Sequence, residues 1–155
     1  MIEQAVVEAL VREYLKKYKG YELITCRVSP SNEIMIEVDS YHGVDLDFCS
    51  ALNRYLQAEL DKGTEDYELE VGSVSITDPF KTKMQYDKHV GQTVELLSKD
   101  GKKMHGQLVN AEDDFFEVDI EVLVQVEGKK KKQKEILTRR FTYDDVKYCR
   151  YDLRV

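Results

Sequence analysis

The chain has 155 residues, 42% apolar and 34% charged, and carries a formal net charge of −7. That length suits one medium domain or two small ones, and the apolar content is too high for a chain that stays unfolded. No apolar run approaches the ~18 residues a membrane span requires, and Glu3, Glu8 and Glu13 interrupt the N-terminal stretch, so neither a membrane anchor nor a secretory signal is expected.

Taken in chain order, Val6, Val7, Leu10, Val11, Tyr14, Leu15 and Tyr18 recur at steps of three and four and predict a first helix, closed by Gly20, with Lys16, Lys17 and Lys19 in its last turn. Residues 21–28 read as a strand, Ser29-Pro30-Ser31-Asn32 as a turn, and residues 33–39 as a returning strand. In that second strand Ile34, Ile36 and Val38 face one way, while Glu33, Glu37 and Asp39 face the other with Met35. Asp45 is an expected N-cap for a second helix over 46–60, closed by Lys62-Gly63. Residues 67–71 alternate as a third strand, with Glu68 and Glu70 on its polar side. The order αββαβ implies two helices packed on one face of a small sheet.

Asp78-Pro79 breaks regular structure, and residues 78–91 are expected to link two domains, 1–77 and 92–155. The second half reads as all β. Strands are expected over 93–98, 104–111, 115–126, 135–142 and 148–153, with Asp100-Gly101 a hairpin turn and Tyr143-Asp144-Asp145-Val146 a single helical turn before the last strand. Five strands in that arrangement predict a small Sm-like (SH3-like) barrel. The fold class is therefore α+β, an αββαβ two-layer domain followed by a small β-barrel.

Charge divides unevenly. Residues 1–83 hold 9 Lys/Arg against 16 Asp/Glu, whereas residues 84–155 hold 14 of each. A protein that grips nucleic acid through many phosphates should be basic overall, and this one is not. An acidic first domain suits steering toward a basic protein partner instead. Cys26, Cys49 and Cys149 form no CxxC pair and no zinc spacing, which fits buried thiols in a reducing compartment, the cytoplasm. His42, His89 and His105 fall in three different elements, so no metal site is expected.

Catalysis is not expected either. Asp45 and Asp47 have a simpler task at a helix start, and Asp113 and Asp114 in a turn. No nucleophile elbow or phosphate-cradling glycine loop is present. The one basic block is Lys129, Lys130, Lys131, Lys132 and Lys134, with Arg139 and Arg140 on the strand that follows. It reads equally as a clamp on RNA phosphates or as a solvated hairpin tip that prevents edge aggregation. Ten tyrosines accompany no tryptophan, and most are expected to pack with a wet hydroxyl.

The run Gly43-Val44-Asp45-Leu46-Asp47-Phe48-Cys49-Ser50-Ala51-Leu52-Asn53-Arg54 resembles the second-helix entry of the ribosome maturation factor RimP family. The likeness continues through Tyr67-Glu68-Leu69-Glu70-Val71, Asp78-Pro79-Phe80-Lys81-Thr82, His89-Val90-Gly91 and 101–108. It implies the same two-domain layout and a non-enzymatic factor that binds the free small (30S) ribosomal subunit during maturation. It also implies contact with a basic small-subunit ribosomal protein near the decoding region. One departure stands out: the family's serine-serine-proline-glycine stretch and following arginine correspond to Gly72-Ser73-Val74-Ser75-Ile76-Thr77-Asp78-Pro79, so Asp78 cannot supply an arginine's phosphate contact.

These readings assign Glu37, Asp39, Glu68 and Glu70 to a protein-partner face. Lys81, Lys83, Lys129–Lys132, Lys134, Arg139 and Arg140 are assigned to RNA. The expected partner is the small ribosomal subunit, through ribosomal protein and rRNA, for a monomer with no cofactor, no small-molecule substrate and no membrane. The alternative is a small Sm-like RNA-binding regulator, which should bind bare RNA tightly.

Overall fold

A computed structural model describes residues 1–153, and the chain divides into two compact units, Met1–Ser75 and the part from Ile76 onward. The first unit contains α1 (Gln4–Leu15), β1 (Tyr21–Val28), β2 (Glu33–Ser40), α2 (Leu46–Leu60) and β3 (Glu68–Ser73). Strand β2 is central, antiparallel to β1 and parallel to β3. Val7, Val11 and Leu15 of α1 and Leu52 and Leu56 of α2 lie at helical spacing and are buried against Cys26, Ile34, Ile36 and Val38. Each fully buried Val or Leu of this kind contributes about 1.5–3 kcal/mol. An irregularity between Leu23 and Thr25 lets Leu23, opposite Val38, and Cys26, opposite Ile36, both face this core.

Helix α1 stops at Leu15 rather than running through Tyr18. The Tyr18 N–H reaches back only three residues, to the Leu15 carbonyl at 2.9 Å, and Gly20 at φ 88° turns the chain into β1. Helix α2 starts where the sequence places it, because the Asp45 carboxylate accepts the Phe48 N–H at 2.7 Å. Asn32 holds the β1–β2 turn at φ 61°. Its side-chain oxygen accepts the Ile2 N–H at 2.8 Å, and its amide donates to the Asp66 carbonyl at 3.0 Å.

The second unit contains α3 (Lys83–Lys88), β4 (Thr93–Ser98), β5 (Lys103–Ala111), β6 (Phe115–Val124), β7 (Gln133–Thr142), a 3-10 turn (Tyr143–Asp145) and β8 (Val146–Tyr151). The strands form one antiparallel sheet in the order β7-β6-β5-β4-β8. All five contribute to a single core that includes Val94, Leu96, Leu108, Phe116, Phe141 and Cys149, but no β7–β8 ladder closes the sheet among the described residues. The stretch 78–91, expected as a link, holds α3, which is capped by the Thr82 hydroxyl; Phe80, Met84 and Tyr86 are buried, and Phe80 and Tyr86 belong to this core. Gly106 on β5 packs tightly against β6. A Cβ there would lie 2.2 Å from the Asp119 carbonyl oxygen and 2.8 Å from a Val118 methyl.

All three cysteines are buried and free. Burial pushes the Cys26 thiol up to about 11 and the Cys149 thiol up to about 12, and it raises Cys49 as well. No helix among the described residues is long and apolar enough to cross a membrane.

Candidate nucleic-acid and protein interfaces

In the first unit the face of the sheet opposite the helices is acidic. Register places Glu33 beside Glu68, Met35 beside Glu70, and Arg27 beside Met35, so these side chains share that face. Glu33, Glu68 and Glu70 are exposed, Glu37 is half-buried, and a shallow concavity is lined by Arg27, Glu33, Met35, Glu68 and Glu70 among others. Like charges directly opposite, as at Glu33 and Glu68, destabilise a sheet unless something else answers them. Asp39 does not belong to this surface. It is only 4% exposed, and its carboxylate accepts the Ser40 backbone N–H at 2.8 Å. Strict alternation marks its side of the strand but not what buries it, and Glu33 takes its place on the accessible face.

The second unit answers several of its cations with carboxylates, four of them across neighbouring strands. Lys134 on β7 meets Glu121 on β6 at 3.2 Å, and Arg140 meets Glu117 at 3.6 Å while lying 4.0 Å over the Phe115 ring. Lys83 is held by Asp87 at 2.9 Å and approaches Asp113 at 4.0 Å, which raises its pKa, chiefly through the Asp87 hydrogen bond. Glu95 accepts from Lys103 at 3.1 Å, Tyr148 at 3.0 Å and Arg150 at 3.2 Å. Burial alone would raise its pKa, but these three donors hold it down at about 2.

The densest group of cations without a carboxylate partner is the hairpin tip. Lys129, Lys130, Lys131 and Lys132 are exposed between β6 and β7, in a turn made by Gly128 at φ 82° and a Lys129 N–H to Val126 carbonyl bond of 3.2 Å. No ion pair engages them among the described residues. Arg139 and Arg140 do not share a surface with each other. Arg139 is opposite Val118 on the core side of the ribbon, whereas Arg140 is opposite Glu117 on the other side. Lys83 does not join the tip either. It lies by the β5–β6 turn at Asp113, one full length of β6 away, roughly 30 Å at the usual rise of a strand. Lys81 is exposed beside it, its backbone N–H donating to the Gln85 side chain at 2.7 Å.

Sequence reasoning did not anticipate an aromatic cluster in the first unit. Tyr14 and Tyr18 stack at 5.2 Å, Tyr21 and Phe48 stack at 4.2 Å, Tyr18 meets Phe48 edge-on at 5.1 Å, and Tyr55 meets Tyr14 edge-on at 4.9 Å. The count of tyrosines was the one available signal, since the rings come from α1, the turn after it, β1 and α2. Among the described residues no group of three His, Cys, Asp or Glu side chains could hold a metal ion.

Comparison with known proteins gives this two-unit chain a family. A family profile described as the RimP N-terminal domain matches residues 10–76. A protein named ribosome maturation factor RimP from Porphyromonas gingivalis is 31% identical over 147 residues, covering 95% of this chain and 96% of its own length. Proteins of the same name from Flavobacterium psychrophilum and Christiangramia forsetii are 33% and 28% identical over 58% and 62% of this chain, and over 58% and 63% of their own. The similarity to the Porphyromonas protein runs through both units, and on it the chain belongs to the ribosome maturation factor RimP family.

Proposed function

We propose that this protein is a ribosome maturation factor that binds the free small (30S) ribosomal subunit and assists its assembly as a cytoplasmic monomer, without cofactor and without making or breaking a covalent bond. The carrying observation is the match along 95% of the chain to a relative of that name. Such a factor works by binding one conformation of the assembling particle better than another, so that its differential affinity shifts the population and it then departs.

The division of charge gives each unit a partner. The acidic face bearing Glu37, Glu68 and Glu70, with Glu33 beside them, suits a basic ribosomal protein. Lys129–Lys132 suit rRNA phosphates, where lysine acts as a point charge without base specificity. Lys81, Lys83, Lys134, Arg139 and Arg140 are secondary contacts, since Lys83, Lys134 and Arg140 must release carboxylates before they meet a phosphate. The working modules are 1–77 and 92–155, with 78–91 built into the second, since Phe80 and Tyr86 belong to its core. The second module is a Sm-like barrel in this reading, supported by five antiparallel strands sharing one core and a 3-10 turn before the last.

Co-sedimentation with small subunits, large subunits and whole ribosomes across a salt series tests the reading. Binding to free small subunits alone is expected. Replacing Lys129–Lys132 by Glu should flatten the salt dependence, by roughly 0.7–0.9 in the log–log slope for each phosphate no longer neutralised. An unchanged slope removes the tip from the interface. Tight binding to bare RNA with none to subunits overturns the assembly-factor reading in favour of an Sm-like RNA regulator.

A further inference from the structure

We infer that the aromatic corner of the first unit is a stacking platform for unpaired RNA bases, built from Tyr18 and the rings around it and rimmed by Lys17, Lys19 and Arg54. The inference deepens the reading above, since it names a second RNA contact, in the unit whose net charge argues against one.

The simpler account of such rings is that they seal the edge of the core. It suffices for Tyr14, Tyr21 and Phe48, which pack directly on the buried cluster. It does not account for Tyr18. The helix has ended three residues earlier, the ring lies outside that cluster, and 37% of the residue is exposed. Tyr14 stacks on one face of the ring, and Phe48 and Tyr21 stand nearly perpendicular to it, so the ring is braced by its neighbours.

Charge selects the ligand. Lys16, Lys17, Lys19 and Arg54 make up four of the nine cations in residues 1–83. Lys16 is held by Glu13 at 2.7 Å, whereas Lys17, Lys19 and Arg54 are exposed and make no ion pair among the described residues. Lys17 and Lys19 flank Tyr18 in the chain, and Arg54 precedes Tyr55 and acts electrostatically on the Tyr14 phenol. Asp45 and Asp47 bound the corner at the start of α2, where Asp45 is occupied with the Phe48 N–H. A braced, part-exposed ring beside unpaired cations suits a base over the ring with its phosphate at the rim. A lysine- or arginine-rich peptide would meet like charge there. Duplex RNA keeps its bases stacked on one another and offers no free face.

The test uses the full chain, a fluorescently labelled oligoadenylate of about a dozen nucleotides, and an RNA duplex of equal length. The chain has no tryptophan, so its emission comes from its ten tyrosines, and the part quenched at the corner is the difference between wild type and Tyr18→Phe. The expected result is single-strand binding with tyrosine quenching, weakened roughly five-fold or more by Tyr18→Ala, retained by Tyr18→Phe, and weakened by Lys17→Glu with Lys19→Glu. Melting curves of the variants show that the fold persists, and the lysine pair serves if Tyr18→Ala does not fold. Unchanged oligoadenylate affinity in Tyr18→Ala, equal binding of the duplex, or preferential capture of a basic peptide overturns the platform. If wild-type protein still pellets with small subunits in that case, the assembly-factor reading stands; loss of that pelleting by wild type would instead overturn the parent reading.

Discussion

The two units manage charge in opposite ways. In the first, sign is separated by place: carboxylates occupy the open face of the sheet at Glu33, Glu68 and Glu70, and unpaired cations gather beside the tyrosines. In the second, opposite charges are matched across strands, at Glu95 with Lys103 and Arg150, Glu117 with Arg140 and Glu121 with Lys134. A unit with a net charge near zero can therefore pair many of its charges and still concentrate unpaired cations in one loop, while a strongly acidic unit can keep a cationic corner. Net charge over a span predicts neither surface, because recognition depends on which charges remain unanswered.

Substitutions sharpen the comparison by separating core, backbone and charge. Leu52 is fully buried between α2 and the first sheet, so Leu52→Ala should lower the stability of that unit by about 2–5 kcal/mol, read from denaturant midpoints. Gly106→Ala should cost the second unit about 1–3 kcal/mol, because the new methyl meets a strand backbone that can yield only by displacing β6. A Gly106→Ala protein as stable as wild type would show that the β5–β6 ladder is more compliant than its geometry indicates. Glu95→Gln should cost on the order of 1 kcal/mol at neutral pH. Its pH signature is sharper. Glu95 has an ordinary value of 4.5 unfolded and about 2 folded, so its contribution is present above about pH 4.5 and lost as pH falls toward 2. Denaturant midpoints measured between pH 6 and pH 2 should fall less steeply in the Gln variant, and parallel declines would mean that other carboxylates govern acid unfolding. Removing the charges of Lys129–Lys132 should change stability by less than about 0.5 kcal/mol, since the tip touches no core.

Much of the fold was legible from local chemistry. Alternation marked β2 and β3, and the Asp45 cap fixed the start of α2, because a side chain within three residues supplies the deciding interaction. Helix α3 escaped because six residues are too few to display a period, and its burial depends on Phe80, Met84 and Tyr86 meeting distant strands. The surfaces were less legible. The sequence identified Glu68, Glu70 and the lysine tip as exposed charge, but Asp39 is buried, and adjacent Arg139 and Arg140 diverge because neighbours on a strand point to opposite faces. Four elements of the chain meet at the tyrosine corner, and a short window of sequence contains no trace of that meeting.

The buried thiols have a practical consequence. Cys26, Cys49 and Cys149 are shielded, and their raised pKa values keep them protonated at neutral pH, so an alkylating reagent finds almost no thiolate to attack. A single cysteine introduced at Lys130 or Lys19 would then be the preferred site for a maleimide dye or a photo-crosslinker, with the native thiols left in place. The wild-type background is thus already suited to attaching one probe at either charged surface and watching it as a ribosomal particle assembles.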